Sequence, residues 1–176
     1  YRGDRVAASR VEAWEFIVGG GAGFNHLNGQ YTVVNPTGST PDNAQVCQAL
    51  SNLKGFMCSF DYIEMEPGLS FIVSGIPKEC FCRGISQPGA QYALYLHHSI
   101  RGKEGPGSEQ AVYVVLPGSY SEELVLDLPA GSYQVDWIDP ASGSVILKER
   151  ITHGGGHVII TTPVYSVDIA LRIKRT

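Results

Sequence analysis

The chain has 176 residues, 43% of them hydrophobic, with 21 glycines, 10 prolines and a formal net charge of -4. That is ample apolar material for one domain, or for a small domain plus part of another, in a turn-rich chain of short strands. The acidic balance excludes nucleic acid as a partner, because no basic stripe exists to neutralise phosphates. No run approaches the length of a membrane span.

The chain opens without an initiator Met or a signal peptide, so it reads as processed or as a segment of something longer. Arg2-Gly3-Asp4 matches an integrin-binding tripeptide, a match short enough to arise by chance. Arg5 to Val18 follows as an amphipathic helix. Val6, Arg10, Ala13, Trp14, Ile17 and Val18 fall at three-to-four spacing, and Gly19-Gly20-Gly21 stops it. The glycine-rich stretch Gly19 to Asn28 follows a helix, whereas a phosphate cradle needs glycines after a strand and before a helix. Close backbone packing or a pocket rim accounts for it better.

Tyr31 to Val34 reads as a short strand and Asn35 to Pro41 as a loop. Asp42 is the expected N-cap of a second helix from about Asn43 to Ser59, whose apolar stripe is Val46, Leu50, Leu53, Phe56 and Met57. The stripes of both helices need a partner surface, and two helices with one short strand cannot supply it by themselves.

After Pro67-Gly68 the period becomes two. Expected strands are Leu69–Val73, Glu79–Ile85, Gln91–His98, Gln110–Leu116, Glu122–Leu128, Ser132–Ile138, Ser144–Ile151, His157–Thr161 and Ser166–Lys174, with a flexible loop from Arg101 to Ser108. The clearest local signal is the run Leu124, Leu126, Leu128, a Pro129-Ala130-Gly131 turn, then Tyr133, Val135 and Trp137. In the last strand Val167, Ile169, Leu171 and Ile173 point inward, with Asp168, Ala170 and Arg172 outward. Many short strands with regular turns predict a mainly β chain: an antiparallel β-sandwich, Ig-like or jelly-roll-like, preceded by two helices.

Several residue types invite a chemical reading. Asp61, Glu64 and Glu66 cluster after the second helix, and paired carboxylates suit glycoside hydrolysis, but a solvated connector explains them better. Asp136 and Asp139 flank Trp137 as a calcium candidate, with Asp139 before Pro140 better read as a turn residue. His97 and His98 point to opposite faces of a strand and His153 and His157 bracket a glycine loop, so no metal site is expected. No Ser/His/Asp or Cys/His arrangement has supporting context. Tyr133 and Trp137 read as core, and Tyr120 and Tyr165, in expected loops, as candidate exposed contacts for a sugar ring. Cys47, Cys58, Cys80 and Cys82 have no zinc spacing. Cys80 and Cys82 share a strand face, which leaves either one or two disulfides, with Cys58 joined to Cys80 or Cys82, or buried free thiols.

Ala13-Trp-Glu-Phe-Ile-Val-Gly-Gly-Gly-Ala-Gly-Phe-Asn-His-Leu27 and Leu53-Lys-Gly-Phe-Met57 resemble the last helices and eighth-strand region of cellulase-like and apiosidase-like TIM-barrel glycoside hydrolases. Ile63-Glu-Met-Glu-Pro67 resembles the exit from that (β/α)8 barrel. Gln87 to Tyr95, Leu126 to Tyr133 and Trp137 to Pro140 resemble the accessory sandwich after it, often labelled a collagen-binding domain. The resemblance implies a barrel end at about 1–66 and a β-sandwich at about 67–176. It implies a secreted protein, extracellular or periplasmic, that acts on a polysaccharide or oligosaccharide with no cofactor. Asn25 and His26 would then lie at the substrate rim. The barrel strands carrying the catalytic carboxylates would precede Tyr1, so no catalytic residue is expected here. The expected partner is a polypeptide with the missing strands. The alternative is a non-catalytic structural or binding module that docks on another chain, or on further copies of itself, through exposed helical faces.

Overall fold

The computed structural model describes residues 5–25, 31–103 and 111–176, with the side chains of Lys103, Ala111 and Val112 excepted. Two helices come first, α1 (Arg5–Val18) and α2 (Pro41–Met57). Eleven described strands follow a short 3-10 turn at Tyr62–Glu64: β1 (Glu66–Pro67), β2 (Ile72–Ser74), β3 (Phe81–Gln87), β4 (Gln91–His97), β5 (Ser99–Lys103), β6 (Ala111–Val115), β7 (Glu123–Leu128), β8 (Gly131–Ile138), β9 (Val145–His153), β10 (Gly156–Thr161) and β11 (Asp168–Arg175). No described helix is long and apolar enough to cross a membrane.

The strands form a six-stranded sheet in the order β1-β3-β4-β11-β8-β9, a three-stranded sheet β10-β7-β2 and a β5-β6 ribbon, all antiparallel. The two larger sheets face each other as a sandwich. Leu124, Leu126 and Leu128 of β7 meet Tyr133, Val135 and Trp137 of β8 and Ile169, Leu171 and Ile173 of β11, all buried. The alternation in the sequence thus sets which face turns inward.

The outward face of the large sheet is buried as well. Ile85, Ala93, Tyr95, Ile138 and Ala170 pack against Ala13, Trp14 and Val18 of α1 and Leu53, Phe56 and Met57 of α2. The helical stripes therefore find their partner surface in this chain, and Asp168 and Ala170 are buried under the helices rather than exposed to water. A layer of helices on one sheet face completes a second core. Gly20, at the end of α1, has φ 96°, and a Cβ there would lie 2.2 Å from Cγ of Pro67. Close backbone approach is thus what this glycine supplies.

Three local expectations are corrected. The N-cap of α2 is Thr40, whose hydroxyl accepts from the Asn43 N–H at 3.3 Å, with Pro41 at the first helical position and Asp42 inside the first turn. Proline's fixed φ suits that position. Tyr31 to Val34 is not a strand: Thr32 and Asn35 exchange backbone hydrogen bonds in a tight turn, and Val33 and Val34 project into solvent. Among the described residues no strand pairs with it. Part of the loop expected from Arg101 is strand, because Arg101 to Lys103 pair with Tyr113 to Ala111. Polar Arg101-Gly102-Lys103 gave no alternation to mark it.

Candidate functional site at the helix–sheet seam

Polar side chains cross the seam between α1 and the large sheet at two points. At the first, Arg10 on α1 donates from Nε and a terminal nitrogen to the two carboxylate oxygens of Asp168 at the start of β11, both at 2.9 Å. The Tyr95 hydroxyl of β4 donates to the same carboxylate at 2.8 Å. Both charged residues are buried. Burial alone would lower the Arg10 pKa, but the Asp168 hydrogen bond and charge raise it, so the guanidinium stays cationic. Burial pushes the Tyr95 phenol well above its ordinary value, and the neighbouring Asp168 adds to that. The bidentate pair and the Tyr95 hydrogen bond tie α1 to β4 and β11 through one carboxylate.

At the second point Glu15, one helical turn further on, meets three strands. One carboxylate oxygen lies 2.6 Å from Arg83 of β3. The other lies 3.5 Å from Nε2 of His97 at the end of β4, and the Tyr113 hydroxyl of β6 donates to it. Nδ1 of His97 is 3.0 Å from Ser99 Oγ. Burial raises the Glu15 pKa, yet the neighbouring His97 and Tyr113 side chains and the charge of Arg83 outweigh it and bring the carboxyl to about 2, although His97 Nε2 at 3.5 Å makes no hydrogen bond.

Ser99, His97 and Glu15 thus stand in the hydroxyl–imidazole–carboxylate order of an acyl-transfer relay. The surroundings do not fit catalysis. Ser99 is 3% exposed, and the His97 ring is stacked on Phe81 at 4.9 Å with Tyr113 edge-on at 5.3 Å. A reacting atom needs a place about 3 Å from both nucleophile and oxyanion donors. Among the described residues the Ser99 hydroxyl has little access to solvent, and what the arrangement visibly does is tie α1 to three strands. One signal of it is legible in the chain: His97 and Ser99, two residues apart, share a face. Nothing local marks Glu15 or Arg83 as their partners.

On the opposite strand face His98 turns into the sandwich, as the alternation requires. Its Nε2 is 2.9 Å from the Tyr165 hydroxyl, and its ring stacks on Tyr120 at 3.5 Å and 8°. Tyr120 and Tyr165 pair through an isolated β-bridge. Tyr165 is therefore buried and Tyr120 half-buried, in contrast to the exposed positions expected of loop residues. Each satisfies its hydroxyl internally, Tyr120 by donating to the Leu116 carbonyl at 2.9 Å.

Asn25 is exposed, and His26 lies outside the described residues, as does Arg2-Gly3-Asp4. Asp61, Glu64 and Glu66 are exposed on the connector. Asp136 is buried and bound by Arg172 at 2.7 Å, while Asp139 accepts from Ala141 N, Ser142 N and Ser142 Oγ in a side-chain-capped turn. Among the described residues no group of three or more His, Cys, Asp or Glu side chains is placed to hold a metal ion. The four cysteines are free: Cys58 is exposed while Cys80 and Cys82 pack into the sandwich core. Of the two alternatives the sequence left open, a Cys58 bridge is not formed, and Cys58 projects from the end of α2 into solvent. A groove of about 230 Å³ between α2 and the β8–β9 turn is lined by Asn52, Phe56, Ile138, Gly143, Val145 and Arg172.

Fold and seam together define the class: a mainly antiparallel β-sandwich with a two-helix layer locked to one face. No family model matches the sequence, and no curated protein does. Among solved structures, one described as a glycoside hydrolase is similar over 78% of this chain, at 14% identity and a TM-score of 0.48. An α-L-fucosidase isoenzyme 2 from Paenibacillus thiaminolyticus is similar over 77%, at 17% identity and a TM-score of 0.40. The chain spans 26% and 18% of those two proteins.

Proposed function

We propose that this chain is the C-terminal portion of an extracellular glycoside-hydrolase-like protein, in which the sandwich at 67–176 buttresses the barrel end at 1–66. The reading rests on the ordered resemblance of the residue stretches above. The observation that carries the supporting role is the seam. The helices resembling the last of a barrel are held to the sandwich by one apolar core and a buried bidentate ion pair. A sugar-binding role has less to stand on. Sugar platforms use exposed aromatic rings, and the free outer face of β10-β7-β2 presents Val73, Glu123, Val125, Asp127, His157 and Ile159 instead.

The parent activity is hydrolysis of a plant or microbial polysaccharide, without a cofactor, by carboxylates that precede this stretch. This chain alone is inactive. The purified chain, incubated with a panel of polysaccharides, is expected to release no reducing sugar; release that co-purifies with the chain overturns the reading. Native mass spectrometry of source material checks the parentage. Barrel strands should accompany the chain, in the same polypeptide or a bound one, and their absence from both counts equally against it.

A further inference from the structure

An open strand edge offers unpaired N–H and C=O groups to any other strand, and proteins guard such edges with brevity, proline, bulges, charge or a covering helix. Every described edge but one carries such a device. β1 is two residues long and includes Pro67. β2 is three residues long, with a register shift between Ile72 and Ser74. β9 carries Lys148, Glu149 and Arg150 in sequence. β5 includes Arg101 and Lys103, and β6 lies against α1.

β10 has none of these. Its sequence, Gly156-His157-Val158-Ile159-Ile160-Thr161, contains no acidic or basic side chain apart from one histidine, and no proline. It pairs with β7 in unbroken register over all six residues and, among the described residues, has no other neighbour in its sheet. Ile160 faces the core at 4% exposure, whereas Ile159 stands 60% exposed on the outer face.

We propose that the open edge of β10 pairs antiparallel with β10 of a second copy, joining two three-stranded sheets into one of six. Centred on Ile159, this register places Ile159 against its own copy and Val158 against Ile160 of the other. It keeps outer face with outer face and core face with core face, as strand addition requires. The pairing is self-complementary, the condition for a two-fold interface. It also suits an acidic chain, because no charge of β10 meets its like across the axis. The register pairs five residues a side, His157 to Thr161, which makes a small interface and a concentration-dependent, weak association.

The inference stands independently of the proposed function. Sedimentation of the full chain from about 1 to 500 µM should move from the 19.0 kDa chain mass to twice that value. Ile159→Lys sets two ammonium groups against each other at the axis and should hold the chain at the single mass, while Ile146→Lys on the charged β9 edge should leave dimerisation intact. A wild-type chain that stays monomeric throughout overturns the proposal, as does an Ile159→Lys dimer of undiminished strength. Should Ile159→Lys fail to fold, hydrogen exchange on the wild type decides the matter. Protection of β10 amides should rise with concentration, and protection that stays flat overturns the pairing.

Discussion

Replacing Asp168 by Asn tests the ion pair of the seam most directly. The substitution keeps the shape and one acceptor oxygen but strands the Arg10 guanidinium as an uncompensated cation. Side-chain exposures of 10% for Arg10 and 3% for Asp168 leave water little room to compensate. Removing one partner of a buried pair costs about 3–5 kcal/mol. In a chain of this size each kcal/mol shifts the midpoint by about 2–4 °C, so a fall of roughly 6–20 °C is expected. Removing both charges by Arg10→Met with Asp168→Leu should recover part of that loss, because two desolvation penalties vanish together while the buried Tyr95 hydroxyl loses its acceptor. Urea denaturation followed by circular dichroism gives the three free energies of the cycle. Trp14, stacked on Tyr95 at 5.4 Å, reports the seam by fluorescence, and Trp137 reports the sandwich core. A single-variant loss below about 1 kcal/mol, or a double variant as unstable as the sum of the singles, refutes the assignment of the pair as the seam's lock.

The Glu15 carboxyl at about 2 lies below its ordinary 4.5, so its stabilisation is complete above pH 4.5 and is lost as pH falls toward 2. That shift corresponds to about 3 kcal/mol, and a Glu15→Gln variant, less stable at neutral pH, should show a flatter acid limb in pH-dependent urea titrations. An unchanged acid limb would place the acid sensitivity elsewhere. The thiols of Cys80 and Cys82 are pushed up to about 12, chiefly by burial. Native protein at pH 8 should therefore react with Ellman's reagent first at exposed Cys58, with Cys80 and Cys82 released only by denaturant. Rapid native labelling of Cys80 or Cys82, mapped by peptide mass, would contradict their packing.

Periodicity made the sandwich legible and left the second core invisible. Leu124, Leu126 and Leu128 against Tyr133, Val135 and Trp137 announce a buried face, because apolar side chains at spacing two have one explanation. Ala93, Tyr95, Ala170 and Asp168 sit on the other face, where alternation says outward. Only tertiary contact shows that outward means under a helix. β4 is buried at every residue, but its apolar run, Tyr92 to Leu96 between Gln91 and His97, is too short for periodicity alone to identify a strand covered on both faces. Long-range partnership is the term missing from local pattern. Arg10 and Asp168 are separated by 158 residues, and neither looks unusual where it stands. The same holds for Tyr120 and Tyr165, which read as loop residues until the bridge between them is seen.

The doubly buried sheet also bears on what the chain can do. A sheet with one wet face can recruit a ligand there, whereas β4, β8 and β11 spend both faces on internal packing. Among the described residues a partner finds the ends of the sandwich, the outer face of β10-β7-β2, the mostly exposed β9, the groove beside α2 and the free strand edges. Charge and brevity close most of those edges, which concentrates the remaining opportunity at β10. The seam works in the opposite sense. A glutamate held as an anion by Arg83, His97 and Tyr113, beside an Arg10–Asp168 pair, resists any sliding of α1 over the sheet, because each step would strand a buried charge. A joint of that kind holds α1 in fixed register on the sheet, which is the property the proposed buttressing role requires.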